Sequence, residues 1–201
     1  MVSKINSALL LGGSGAIGVS LTKFLKKDFK NFISVDINQN KLNLQNNEFI
    51  QYDLKEGLPS LVIEFIEKNA KNGIALINCL GKISSNSFLS LNTNRNNHKS
   101  KFNEQIKLLT NDFESNFLLP ITLSSQIANL IIGERGSGSI INFSSVSSYG
   151  NPGQLGYSSM KGAIEIGTKV LAREFGTLGI RCNTIAPGFI ETDSMRANMT
   201  P

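Results

Sequence analysis

The feature that most constrains this chain lies near its N-terminus. A wholly apolar run, Ala8–Leu11, passes without a break into Gly12-Gly13-Ser14-Gly15-Ala16-Ile17-Gly18. Ser7–Leu11 reads as a buried strand, and Ala16–Lys27 as a helix with Ile17, Leu21, Phe24 and Leu25 on one face. Between them Gly13, Gly15 and Gly18 fit G-x-G-x-x-G. That spacing gives a tight turn, lets backbone approach a pyrophosphate closely, and ends in a helix N-terminus whose free N–H groups face the anion. Such glycines can be no more than a turn, but the strand before them and the helix after them are the context the motif needs.

The rest of the chain repeats the alternation. Phe32–Val35, Glu48–Gln51, Ile74–Asn78, Ser139–Phe143 and Ile180–Ile185 read as strands. Leu61–Asn69, Asp112–Ile132 and Tyr157–Leu178 read as helices, the last with Met160, Ala163, Ile164, Gly167, Leu171, Phe175 and Leu178 inward and Glu165, Lys169 and Arg173 on its other side. Six strands without polar alternation, separated by helices, imply an α/β protein: a doubly wound parallel sheet covered on both faces, in three layers. Ligands of such sheets bind at the carboxyl ends of the strands. With no composition shift, linker or repeat, residues 1–201 are expected to form one domain.

Asp36 closes the second strand, 18 residues after Gly18. A carboxylate there can accept hydrogen bonds from ribose hydroxyls and would repel a 2′-phosphate, which favours NAD(H) over NADP(H); Ile37–Asn40 bring no cation to offset it. It could equally cap the next helix.

Tyr157 and Lys161 stand four residues apart in a helical stretch and share a face. An ammonium near a phenol stabilises the phenolate, lowers its pKa and so makes it a usable acid–base group. Ser145 follows the fifth strand, 12 residues before Tyr157, and Gly150-Asn151-Pro152-Gly153 can turn the chain to bring the two together. Ser144 could be mistaken for it.

Taken together these motifs resemble the short-chain dehydrogenase/reductase family, in the single-domain branch that contains the 3-oxoacyl carrier-protein reductases, over almost the whole chain. The resemblance implies a Rossmann-like fold. The loop from Gly12, Gly13, Ser14 and Gly15 through Ala16, Ile17 and Gly18 matches the family's glycine motif, and Asp53, followed by Leu54, matches its adenine-contacting acid. Asn78-Cys79-Leu80-Gly81 matches the N-N-A-G turn and Asn116 the Asn that holds a proton-relaying water. Ser145, Tyr157 and Lys161 match the triad. Pro187, Gly188, Ile190 and Thr192 match the P-G motif, with Ile190 and Thr192 toward carboxamide and phosphates. What this implies is hydride transfer between nicotinamide and a secondary alcohol or ketone, with Tyr157 exchanging the proton, Lys161 also holding the nicotinamide ribose, and a homodimer or homotetramer. An epimerase or dehydratase of the same superfamily, or a non-catalytic dinucleotide binder, are the alternative readings.

The departures are local. Leu11 and Ala16 stand where the family has Thr and Gly, and Cys79 and Leu80 where it has Asn and Ala. The 38 residues from Asn78 to Asn116 are about a dozen more than usual, which places an inserted polar loop at 84–100 with the chain's one histidine, His98. The chain stops at Pro201, some 40 residues early, so the family's seventh strand is expected to be missing.

Composition narrows the rest. The net charge is +5, but the cations are scattered, with no run longer than Lys26-Lys27, so nucleic acid is not the expected partner. Cys79 and Cys182 have no C-x-x-C spacing and imply neither a zinc site nor a disulfide framework. With no signal peptide, a cytoplasmic protein is expected. No stretch reads as the roughly 18 apolar residues of a membrane helix.

Overall fold

The computed structural model describes residues 5–39, 44–45, 48–84 and 98–191, with 98–100 by backbone alone. Strands β1 (Ser7–Leu11), β2 (Asn31–Asp36), β3 (Phe49–Gln51), β4 (Ile74–Asn78), β5 (Gly138–Phe143) and β6 (Ile180–Ile185) form one parallel sheet in the order β3-β2-β1-β4-β5-β6. Leu11 is in register with Val35 on one side and Asn78 on the other, and Asn78 with Asn142. The carboxyl ends of β1, β2, β4 and β5 therefore form one edge, and strand order reverses at β1, where a ligand crevice opens.

Helices α1 (Ala16–Asp28), α2 (Ser60–Asn69), α3 (His98–Phe113), α4 (Leu119–Gly133) and α5 (Leu155–Phe175) cover both faces. Alternate residues of each strand divide the core. Leu9, Leu11, Ile33, Val35, Leu76 and Ile140 pack with Val62 and Ile66 of α2, Leu123, Ile127 and Ile131 of α4, and Leu171 and Phe175 of α5. Ala8, Leu10, Phe32, Ala75 and Ile77 face the other way, against Leu21 and Leu25 of α1. Each such fully buried Leu or Ile contributes about 1.5–3 kcal/mol.

Three expectations need correction. The long helix does not begin at Asp112, nor does the inserted loop run to residue 100: α3 starts at His98. An apolar stripe, Phe102, Ile106, Leu109 and Phe113, runs at helical spacing through a stretch that reads as polar, with Phe102, Ile106 and Phe113 left exposed. Residues 85–97 lie outside the described residues. Extended in this way, Lys101–Gly133 is long and apolar enough to cross a membrane by length and composition, contrary to the expectation that no stretch would be. The apolar residues of α4 are spent on the sheet, however, in the first core cluster.

Between α3 and α4 the helix widens into one π turn, Glu114–Leu118, closed by the Leu119 N–H donating to the Glu114 carbonyl. Pro120 supplies the reason. It has no N–H to donate to the Asn116 carbonyl, and its ring crowds that carbonyl in a regular helix.

Candidate active site

The glycine loop is held tight by backbone packing. Gly12 has φ +80°, and its N–H donates to the Val35 carbonyl at 2.9 Å. A Cβ on Gly18 would run into the Gly12 carbonyl oxygen and stand 2.8 Å from Gly13 Cα; one on Gly13 would meet the Ser34 hydroxyl. Gly15 and Ala16 remain exposed at the tip, and no side chain caps the N-terminus of α1. A helix end left open in this way, at the carboxyl edge of a parallel sheet, fits the pyrophosphate of a dinucleotide.

Asp36 is buried beside it. One carboxylate oxygen accepts from the Ser14 N–H at 2.9 Å, and the other from the Asn38 N–H at 2.8 Å and its side-chain amide at 3.0 Å. Asp36 therefore fixes the glycine loop and the turn at the mouth of β2, and no helix follows it among the described residues for it to cap. Asp53 accepts from the Lys55 N–H at 3.0 Å and caps a short 3-10 turn. The Leu54 side chain is packed in the core, which leaves only its backbone for a ligand.

At the far side of the crevice the β4, α3–α4 and α5 elements meet. Asn78 is buried and its amide donates to the Pro120 carbonyl at 2.9 Å, so it braces the π turn rather than facing the crevice. Asn116, fully buried within that turn, accepts from the Lys82 N–H at 2.9 Å and donates to the Lys82 carbonyl at 3.0 Å. Gly81, with φ +140°, lies against both Asn116 and Lys161: a Cβ there would stand 2.8 Å from Asn116 Oδ1 and 2.9 Å from Lys161 Nζ.

The Ser145 hydroxyl lies beside the Tyr157 phenol, and Ser145 Oγ accepts from the Ser147 N–H at 3.1 Å. Lys161 Nζ donates to the Phe143 carbonyl at 2.8 Å and lies 5.7 Å from the centre of the Tyr157 ring. Burial holds the Lys161 ammonium down at about 8. Burial also pushes the Tyr157 phenol above its ordinary value, opposed by the bond with Ser145. The net lowering expected from Lys161 is therefore not found here, because the phenol is desolvated and the ammonium is aimed at Phe143.

Ser144 is distinguished from Ser145 by its partners: buried, it reaches the Lys161 carbonyl at 2.9 Å and the Glu165 carboxylate at 2.7 Å. Pro187 accepts from the Val146 N–H at 3.0 Å, which brings the P-G segment beside Ser145; Gly188 and Ile190 are exposed there, and Thr192 lies outside the described residues. The sequence reading passes over Lys82, which acts through its backbone and leaves no side-chain signal. Cys79, which the sequence marks only as a departure in the turn, has a thiol that burial pushes up to about 12 against the opposing charge of Lys161. Glu165, expected on the solvated side of α5, instead faces Ser144 and Ser148. Its position four residues after Lys161 was the available signal.

Comparison with known proteins agrees with this geometry. Over 192 residues the chain is 31% identical to the 3-oxoacyl-[acyl-carrier-protein] reductase FabG of Rickettsia typhi, covering 93% of this chain and 73% of that protein. A stretch of 58 residues is 53% identical to the short-chain reductase protein NovJ of Streptomyces niveus, 29% of this chain and 22% of that one. The solved structure of a 4-hydroxyisoleucine dehydrogenase complexed with NADH is similar at a TM-score of 0.73 and 28% identity, over 96% of this chain and 79% of that chain. The family model for short chain dehydrogenases matches residues 6–200, and the chain belongs to that family, oxidoreductases built on a nicotinamide-dinucleotide-binding fold.

Proposed function

We propose that this chain is an NAD(H)-dependent oxidoreductase that interconverts a secondary alcohol and a ketone in a small-molecule substrate, with Tyr157 passing the proton. The observation that carries the reading is the buried Lys161 ammonium 5.7 Å from the centre of the buried Tyr157 ring, with the Ser145 hydroxyl beside the phenol. Gly13 to Gly18 would hold the pyrophosphate and Asp36 the adenosine ribose, with Asp53 and Gly81 along the crevice, Asn78 behind it, Pro187, Gly188 and Ile190 at its rim, and Lys161 on the nicotinamide ribose. Bound there, the nicotinamide supplies or takes up the hydride.

The chain's own residues do the rest. Ser145 holds the substrate oxygen next to the phenol. In the reducing direction the Tyr157 hydroxyl donates its proton to that oxygen; in the oxidising direction the phenolate accepts it. Burial disfavours the phenolate, so the Ser145 bond and the Lys161 charge must carry it at the moment it forms. Asn116 Oδ1 and Lys161 Nζ both lie against Gly81, and a water held between these two side chains would return the proton.

Preference for NAD(H) is supported by the buried Asp36 carboxylate and by Ile37, Asn38 and Gln39, none of them cationic. Self-association is supported by exposed apolar side chains on two helices in contact, Phe102, Ile106 and Phe113 of α3 and Ile166 and Val170 of α5. A reducing, cytoplasmic setting suits the free Cys79 and Cys182.

The test is a fluorescence titration with NADH and NADPH, followed by turnover of a panel of ketones and alcohols. NADH is expected to bind more tightly, and Tyr157→Phe to lower turnover by about 10²-fold or more. Turnover that survives in Tyr157→Phe overturns the assignment.

A further inference from the structure

The Ser145 loop and the Tyr157 helix are separate elements, and something must fix one on the other. Backbone bonds tie the loop elsewhere. The Ser144 N–H donates to the Ile185 carbonyl at 2.8 Å, the Val146 N–H to the Pro187 carbonyl at 3.0 Å, and the Ser148 N–H back to the Ser145 carbonyl at 2.9 Å. None of these reaches α5.

Two side chains of the loop converge on one carboxylate oxygen of α5. Glu165 Oε1 accepts from Ser144 Oγ at 2.7 Å and from Ser148 Oγ at 2.8 Å. The two serines stand on either side of Ser145, one residue before it and three after. Ser144 Oγ also lies 2.9 Å from the Lys161 carbonyl, but a hydroxyl has one proton, and the charged, nearer oxygen of Glu165 is the stronger acceptor. Glu165 itself sits one turn beyond Lys161 and two beyond Tyr157 on the same helix.

We propose that Glu165 is a positioning residue: its carboxylate clamps residues 144–148 onto α5 so that the Ser145 hydroxyl stays on Tyr157. The proposal rests on the oxidoreductase reading for its consequence in turnover, but the clamp stands or falls separately. Glu165 touches none of the reacting groups. It acts through Ser145, and misplacing a reacting group by about 1 Å costs about 10²-fold in rate.

Two measurements decide it. In the first, Glu165→Ala lowers kcat by about 10- to 100-fold while KM for the cofactor stays within about twofold, and Glu165→Gln, which keeps an acceptor oxygen, restores most of the loss. In a Ser145→Ala background the same Glu165→Ala change costs less than about twofold, because the hydroxyl it positions is gone. Additive losses in the double variant would mean a general structural role and overturn the clamp.

The second needs no turnover. A 3-fluorotyrosine at position 157, assigned by loss of its signal in Tyr157→Phe, reports the Ser145 contact by ¹⁹F NMR. Ser145→Ala, Glu165→Ala and the milder Ser148→Ala are expected to move the resonance the same way, with Glu165→Ala adding nothing on top of Ser145→Ala. Should Glu165→Ala fail to fold, an unmoved resonance in Ser148→Ala overturns the clamp. A chain that turns over no substrate but shows these shifts keeps the clamp and loses the activity.

Discussion

Gly81→Ala is the sharpest single test of how the site is assembled. Two penalties meet at this residue. Its φ of +140° is one that side-chain-bearing residues rarely adopt, and holding alanine there costs about 1–3 kcal/mol. The added methyl would stand 2.8 Å from Asn116 Oδ1 and 2.9 Å from Lys161 Nζ, several tenths of an ångström inside ordinary contact. Neither neighbour moves freely: Asn116 is pinned by both backbone groups of Lys82, and Lys161 by the Phe143 carbonyl at 2.8 Å. Releasing Lys161 gives up a buried bond to a charged group, about 1.5–3 kcal/mol. The two together come to about 4 kcal/mol, or roughly 10 °C in melting temperature for a chain of this length. Because the displaced atoms are Lys161 Nζ and Asn116 Oδ1, turnover should fall by about 10²-fold, while NADH affinity falls less. Gly57→Ala is the control: φ is +101° there, but nothing lies within 4 Å, so it carries strain without displacement. Differential scanning fluorimetry and steady-state kinetics read both variants. If Gly81→Ala melts and turns over like Gly57→Ala, the contact with Asn116 and Lys161 does not govern the site.

Asp36→Ser should swing the ratio of NADPH to NADH affinity upward by about tenfold or more, since it removes the charge that repels a 2′-phosphate, and an unchanged ratio in fluorescence titration would refute that role. Gly18→Ala drives a methyl into the Gly12 carbonyl and to within 2.8 Å of Gly13 Cα, backbone with no flexible end to yield; a loss of about 1–3 kcal/mol in stability and a rise of about tenfold in NADH Kd are expected, and an unaffected Kd would disqualify the loop as the phosphate cradle. Lys161 is held at about 8 against an ordinary 10.5, so the unfolded chain binds more protons between those values. The burial penalty on stability is full below pH 8 and is relieved as pH rises toward 10.5. Cys79, pushed up from 9.0 to about 12, works in the opposite sense above pH 9. Lys161→Met removes the lysine contribution, so its stability advantage over the parent should shrink by about 3 kcal/mol between pH 7 and pH 10.5 in urea titrations, and a constant difference would refute a buried ammonium.

The strands were legible because a parallel sheet buried on both faces demands unbroken apolar runs, and Ser7–Leu11 and Ile74–Asn78 are that and little else. The phosphate loop was legible because its glycines answer to steric demands that no other residue meets, as Gly18 shows against Gly12 and Gly13. What stayed hidden depends on three-dimensional burial. The direction of the Tyr157 shift could not be read from the nearness of Lys161, since desolvation outweighs it. The start of α3 was obscured by polar residues interleaved with Phe102 and Ile106, and the side of α5 that Glu165 faces by its kinship with Lys169 and Arg173 in sequence. The π turn did leave a mark, Pro120 in the interior of an apolar helix, which a helical pattern alone passes over.

That proline also connects the site to the sheet. Apolar packing sets which faces meet but tolerates small slides of one element along another. Here a line of buried hydrogen bonds removes that freedom. The Asn78 amide on β4 donates to the Pro120 carbonyl and, at 3.2 Å, to Ser124 Oγ on α4; Ser124 donates to Asn142 Oδ1 on β5 at 2.8 Å; and the Asn142 amide donates to Thr168 Oγ1 on α5 at 3.0 Å. All four side chains are buried, and each donor has its acceptor, so the line adds no unpaired polar group to the core. One end holds the proline that opens the turn carrying Asn116, and the other sits two turns beyond Lys161 on the helix of Tyr157. The spacing of Asn116 and Lys161 is therefore fixed through the interior of the protein, beneath the sheet edge, and not by the exposed loops that surround them.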